Sequence, residues 1–267
     1  MSLPIELWQG KTFLSHATGF FHKKGSRLYL VSNWHVFSGR DALSGQPLHS
    51  QGGLPDRLKI LLRVAEFNKS IELTLHINQD ECSGWLHHPE GQKIDVACAR
   101  IYQIPECAII RSPTENCWNE DMHKGVGSEC YVVGYPLERK LTDNLPVWKR
   151  ASLATDFDVD YASSPCFLID TTARPGMSGS PVYLRSAGAT LLENGDSVFL
   201  NGSATNFIGV YSGRVQSCKD GDLSLGKVWR SKVINEIIQN RLPGGIFSVS
   251  VSWPPPSRFS PDLRCHA

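Results

Sequence analysis

Ser178 lies in the heptapeptide Pro175-Gly176-Met177-Ser178-Gly179-Ser180-Pro181, between a strand-like segment ending at Thr171 and another starting at Pro181. Gly176 and Gly179 free the backbone for conformations that a Cβ forbids, so the serine stands outward while nearby N–H groups turn toward one point. A serine hydroxyl becomes a nucleophile only beside a base that takes its proton. His35, at the end of the strand-like run Leu30–Val36, is a residue whose charge changes near neutral pH. Asp95 interrupts the apolar run Lys93–Ala99, where a carboxylate must be paired or hydrogen-bonded. Each motif also has an ordinary explanation: a Gly-Ser-Gly turn between strands, a hydrogen-bonded histidine, a structural ion pair. What sets them apart is that all three occur together, in the order His, Asp, Ser, each in a restrictive local context.

The elements that must position these residues read as an all-β fold. Short segments rich in β-branched and aromatic residues recur at Ala17–His22, Arg27–Asn33, Leu58–Ala65, Ile71–Ile77, Ile94–Tyr102, Glu129–Tyr135, Cys166–Thr171, Pro181–Arg185 and Asn206–Ser212, broken by Gly, Pro, Asn and Asp. Only Ser231–Leu242 has a helical period, with Val233, Ile234, Ile237, Ile238 and Leu242 on one face. Between Ile104 and Gly127 a polar stretch interrupts any period and separates two strand sets. The expected division is 1–110 carrying His35 and Asp95, a connection over 111–127, 128–242 carrying Ser178 and the closing helix, and a tail over 243–267. Within the tail, Ile246–Trp253 could form one short strand before a Pro-run that continues neither ladder nor helix.

Composition removes several function classes. Lys plus Arg number 27 against 26 Asp plus Glu in 267 residues, so no electrostatic footprint for nucleic acid or an anionic membrane is visible. The first residues, MSLPIELWQGKTFLSH, lack the basic start and apolar run of a secretion signal, and no stretch of about 18 apolar residues occurs. The chain therefore reads as neither secreted nor membrane-spanning, which points to the cytoplasm. The cysteines Cys82, Cys98, Cys107, Cys117, Cys130, Cys166, Cys218 and Cys265 are scattered singly, as expected of reduced thiols. Cys82, His87 and His88 do not make the close pairs of a tetrahedral zinc site, so no metal is expected.

The His35, Asp95 and Ser178 motifs resemble those of the chymotrypsin-like serine peptidases, particularly the intracellular bacterial trypsin-like peptidases. The resemblance runs from about Ala17 to Leu242. Thr18-Gly19-Phe20 matches the strand before the family's histidine, Ile208-Gly209-Val210-Tyr211-Ser212-Gly213 its cleft strand, and Gly226-Lys227-Val228-Trp229 with Ser231–Leu242 its closing strand and helix. The resemblance implies two packed six-stranded antiparallel β-barrels with a C-terminal helix. It implies a serine endopeptidase with His35 as base, Asp95 as its orienting acid and Ser178 as nucleophile, and no cofactor. Gly176 and Ser178 would supply the oxyanion hole, and Thr172, Tyr211, Ser212, Gly213 and Arg214 would line the substrate cleft. A protein or peptide is the implied partner, with attachment to a larger bacterial assembly as a further expectation.

The sequence departs from the pattern in places. Met177 stands where secreted trypsins have the acid that pairs with a newly cut N-terminus, which argues against zymogen activation by that route. Thr172 occupies the place of the trypsin pocket acid, so a Lys or Arg preference has no support. Ser180 replaces a glycine, as in glutamyl endopeptidases, but Tyr211 stands where those carry a substrate-binding histidine. The alternatives to a peptidase are a catalytically inactive pseudoprotease or peptide-binding module with the same fold, and an esterase using the same serine.

Overall fold

Alternation builds the first sheet. β1 (Ser2–Gln9) turns Leu3, Ile5 and Leu7 inward, and β4 (Arg57–Arg63) does the same with Leu58, Ile60 and Leu62. These two strands join β2 (Thr12–Lys24), β3 (Arg27–Ser32), β5 (Ser70–His76), β6 (Trp85–His87), β7 (Ala97–Ile101) and β14 (Val249–Ser252) in the order β14-β5-β4-β1-β2-β3-β7-β6. The structure, a computed structural model, describes all residues except 67–68, 78–84, 116, 119–120, 137–144, 173, 216–223, 241–248 and 253–267, with 249–252 described as backbone. Side chains from β1 to β7 converge on one core, so the sheet curls around itself. The second set is a closed barrel in the order β10-β13-β12-β11-β8-β9, comprising β8 (Glu129–Gly134), β9 (Val147–Leu153), β10 (Cys166–Asp170), β11 (Pro181–Leu191), β12 (Ser197–Arg214) and β13 (Leu225–Arg230).

The fold is thus an all-β double barrel closed by a helix, as expected, with one difference in strand count. The second barrel has six strands, whereas the first sheet has eight. The three-residue β6 is added at one edge, and β14, from the segment expected to be a tail, pairs antiparallel with β5 at the other, Val249 opposite Leu75. An edge strand offers unpaired N–H and C=O groups, and β14 satisfies those of β5.

A third apolar cluster joins the two barrels. Phe20, Tyr29, Val31, Ile94, Val96 and Cys98 from the first meet Cys166, Val210 and Trp229 from the second, and all are buried. Helix α2 (Lys232–Asn240) seals this seam with Val233, Ile234, Ile237 and Ile238, the stripe that its period announces; Leu242 lies outside the described residues. Each such side chain contributes about 1.5–3 kcal/mol when removed from water. Among the described residues no helix is long and apolar enough to cross a membrane.

Candidate active site

His35 does not end a strand. β3 stops at Ser32, and the chain turns at Asn33 into α1 (Trp34–Ser38), a five-residue helix closed by Gly39 in the left-handed region at φ 69°. The short helix lifts the imidazole off the sheet toward the second barrel. Asp95 likewise precedes β7 and does not lie within it. Its neighbours Ile94 and Val96 are both buried in the inter-barrel cluster, which turns the carboxylate the other way, toward His35.

The Asp95 carboxylate is 5% exposed and fully engaged. Oδ1 accepts the backbone N–H of His35 at 2.9 Å, and Oδ2 lies 2.8 Å from His35 Nδ1. The Ser212 hydroxyl, brought in on β12, also donates to Oδ2. The Asn33 side-chain amide donates to the Asp95 backbone carbonyl at 2.8 Å, fixing the segment from behind. Facing a carboxylate, Nδ1 is the protonated nitrogen, which leaves Nε2 as the acceptor. Burial of the ring opposes its charging, but the charge and hydrogen bond of Asp95, helped by Asp41, outweigh it and raise the His35 pKa above the ordinary imidazole value.

Two consecutive turns present Ser178. Met177 N–H donates to the Arg174 carbonyl at 3.3 Å around Pro175-Gly176, and Ser180 N–H donates to Met177 at 3.0 Å around Ser178-Gly179. Both glycines have positive φ, 89° and 83°, as the third residue of a type II turn requires. A Cβ on Gly179 would also lie 2.1 Å from both the Ser32 hydroxyl and the Thr18 carbonyl oxygen. The donors that close the turns are Met177 and Ser180, so neither turn consumes the N–H of Gly176 or Ser178. Thr18, on β2, fastens this loop to the first barrel. Its N–H donates to the Ser178 carbonyl at 2.8 Å, and its hydroxyl donates to the Gly176 carbonyl at 2.8 Å while accepting the Tyr135 N–H at 3.0 Å.

His35, Gly176 and Ser178 line one cavity of about 330 Å³. The cavity thus brings together an imidazole backed by a carboxylate and a serine hydroxyl, the group types that nucleophilic acyl transfer uses. Solved structures give the fold its context. The protease Anisep from Arthrobacter nicotinovorans matches with a TM-score of 0.50 at 12% identity over 90% of this chain and 94% of that one. The fold is that of the chymotrypsin-like serine proteases. The MamO protease domain of Magnetospirillum magneticum gives 0.45 at 12% identity over 88% and 93%. A serine endoprotease from Yersinia pestis gives 0.47 at 12% identity over 90% of this chain, which spans 61% of that one. No family model matches the sequence, and no curated protein matches it.

The other expected cleft residues of this chymotrypsin-like fold are distributed differently. Ser212 reaches Asp95, and Gly213 and Arg214 end β12, paired with Lys227 and Gly226. Thr172 lines a separate cavity of about 500 Å³ with Lys149 and Asp170, and there Lys149 Nζ donates to the hydroxyls of Thr171 at 2.5 Å and Thr172 at 3.4 Å. Burial lowers the Lys149 pKa, the nearby Arg174 lowers it further, and Asp170 works against both. Tyr211 does not present its ring to the cleft: it is 2% exposed in the second barrel's core, against Gly226, where a Cβ would meet the ring at 2.5 Å. A match to the family's cleft-strand motif cannot foresee which way a β12 side chain points. Thr18 and Asn33 went unremarked as site residues, although both stand in the motifs that carry the resemblance. Of the candidate metal residues, Cys82 lies outside the described residues, and Cys98, Cys117, Cys130 and Cys166 are unbridged thiols.

Proposed function

We propose that the protein is a serine endopeptidase in which His35, Asp95 and Ser178 act as a catalytic triad. The reading rests chiefly on one observation: an imidazole fastened at Nδ1 to a buried carboxylate at 2.8 Å shares a cavity with the serine of a double turn. His35 Nε2 takes the Ser178 proton as Oγ attacks the scissile carbonyl, and the developing oxyanion is received by the N–H groups of Gly176 and Ser178. The imidazolium, stabilised by Asp95, then gives its proton to the leaving amine as the C–N bond breaks. Water, deprotonated by the same nitrogen, hydrolyses the acyl-enzyme and restores Ser178. No metal or organic cofactor takes part.

An extended substrate has a place to pair. β11 stops pairing with β12 at Val210, whereas β13 continues along it to Arg214, so one side of Ser212–Arg214 lacks a neighbouring strand among the described residues. The acyl half of the peptide adds there as a strand.

The expected result for Ser178→Ala is normal folding, a fall of about 10⁶ in kcat and loss of fluorophosphonate labelling, read by in-gel fluorescence. His35→Ala should be comparably damaging, whereas Cys98→Ser should retain turnover, since burial pushes that thiol far above the range in which a thiolate forms. If wild-type protein takes up no probe, the fold serves binding and not hydrolysis.

A further inference from the structure

The cavity shared by His35 and Ser178 is not lined by Ser212, Gly213 or Arg214; its other walls come from β2 and from the 48–55 segment of the loop between α1 and β4. If the acyl half of a substrate lies along β12, what enters this cavity is the leaving-group half. Most of its lining surface is apolar, from Leu7, Leu14, Val36, Leu48, Pro55 and Pro175, with Ser15 and Ser50 among its polar lining. His16 and His49 are its only lining imidazoles besides His35, and no Lys, Arg, Asp or Glu lines it among the described residues. An ammonium or guanidinium would be desolvated there with no counter-charge and a carboxylate would have only imidazoles to face, whereas a branched or aromatic side chain would exchange water for carbon.

The loop wall is preformed. Leu48 N–H donates to the Gly39 carbonyl at 2.8 Å, Arg40 pairs with Pro47 as a β-bridge, and the Arg40 guanidinium donates to the Gly45 carbonyl at 3.2 Å. Gly39 lies so near Pro55 that a Cβ would be 2.3 Å from its ring, and a Cβ on Gly53 would be 2.8 Å from Leu14. A volume of about 330 Å³ is at the small end for ligand pockets, which run to about 1,000 Å³, so the space suits one or two side chains.

We infer that cleavage selectivity resides on the leaving-group side, where this cavity takes a branched aliphatic or aromatic side chain from the residue immediately after the scissile bond. The inference rests on the peptidase reading and deepens it.

The test uses full-length protein and internally quenched peptides built on a sequence cleaved in a peptide-library digest, with the residue after the scissile bond set to Leu, Phe, Gly, Asp or Lys. The expected kcat/KM for Leu and Phe is about tenfold or more above that for Gly, Asp and Lys, the scale on which hydrophobic pockets discriminate. Leu48→Asp, at a position 54% exposed and therefore tolerant in folding, should cut kcat/KM for the Leu peptide about tenfold and raise Lys relative to Leu. Equal rates across the five peptides, in protein that labels with a fluorophosphonate, would overturn the inference and leave the peptidase reading standing. An unchanged Leu-to-Lys ratio in the Leu48 variant would overturn it too. Absence of both labelling and cleavage removes the peptidase reading, and this inference with it.

Discussion

His35 is pulled in two directions, by burial toward neutrality and by Asp95 toward charge, and the second wins. General-base catalysis needs the neutral ring, so a raised pKa moves the acid limb of activity to higher pH. The midpoint of that limb in kcat/KM should lie above about 6.5, the unperturbed imidazole value. Asp95→Asn removes the charge that raises it, so the limb should move toward acid while the rate falls by about 10⁴, because the wrong tautomer is then favoured. A pH–rate profile of both proteins checks this, and a limb that stays in place would show that Asp95 does not set the titration. The candidate set His35, Asp95 and Ser178 was legible because each member stands in a local context that restricts it: a serine between two glycines, an acid among aliphatics, a histidine after a strand. Thr172 and Tyr211 were not legible in the same way. Their roles depend on side-chain direction, and the Tyr211 ring turns into the second barrel's core while Thr172 opens onto another cavity.

At the level of elements, one residue of β2 fastens the Ser178 loop to the first barrel. Thr18, fully buried, donates to the carbonyls of both Gly176 and Ser178 and accepts the Tyr135 N–H. Thr18→Val keeps the shape but removes the hydroxyl, leaving the Gly176 carbonyl and the Tyr135 N–H to find other partners at a cost of about 1–3 kcal/mol for a group left unsatisfied. The expected outcome is a Tm lower by several degrees and a kcat reduced more than KM is changed, since the Gly176 peptide is part of the proposed oxyanion hole. Differential scanning fluorimetry with steady-state kinetics on the quenched peptides reads both. Most strands were visible from composition, but β1, β6 and β9 were not among the expected segments. β1 alternates cleanly, but Pro4 hides it; the proline is tolerated because pairing with β4 begins only at Ile5. α1, with five residues, is too short to show a period. β11 and β12 extend past the segments expected for them, and in that extension their exposed faces lack the apolar alternation that marks a half-buried strand.

For the whole molecule, the proposed chemistry is divided between two barrels: His35 and Asp95 belong to the first, Ser178 and Ser212 to the second. Neither barrel's own core fixes the distance between them; the inter-barrel cluster and the Thr18 tether do, the cluster with Ile94 and Val96 on either side of Asp95 and Val210 two residues before Ser212. Stability and activity should therefore respond differently to the same truncation at different places. Ile94→Ala and Ile60→Ala each delete a fully buried isoleucine, the first at the seam and the second inside the first barrel. Each should cost about 2–5 kcal/mol. At a temperature where both variants remain folded by circular dichroism, Ile60→Ala should label with a fluorophosphonate at close to the wild-type rate per folded molecule. Ile94→Ala should label at least several-fold more slowly, because slack at the seam loosens Asp95 and with it the imidazole. Equal labelling rates in the two variants would mean that the seam supplies stability alone, and that the loop tether through Thr18 suffices to keep the barrels in register for catalysis.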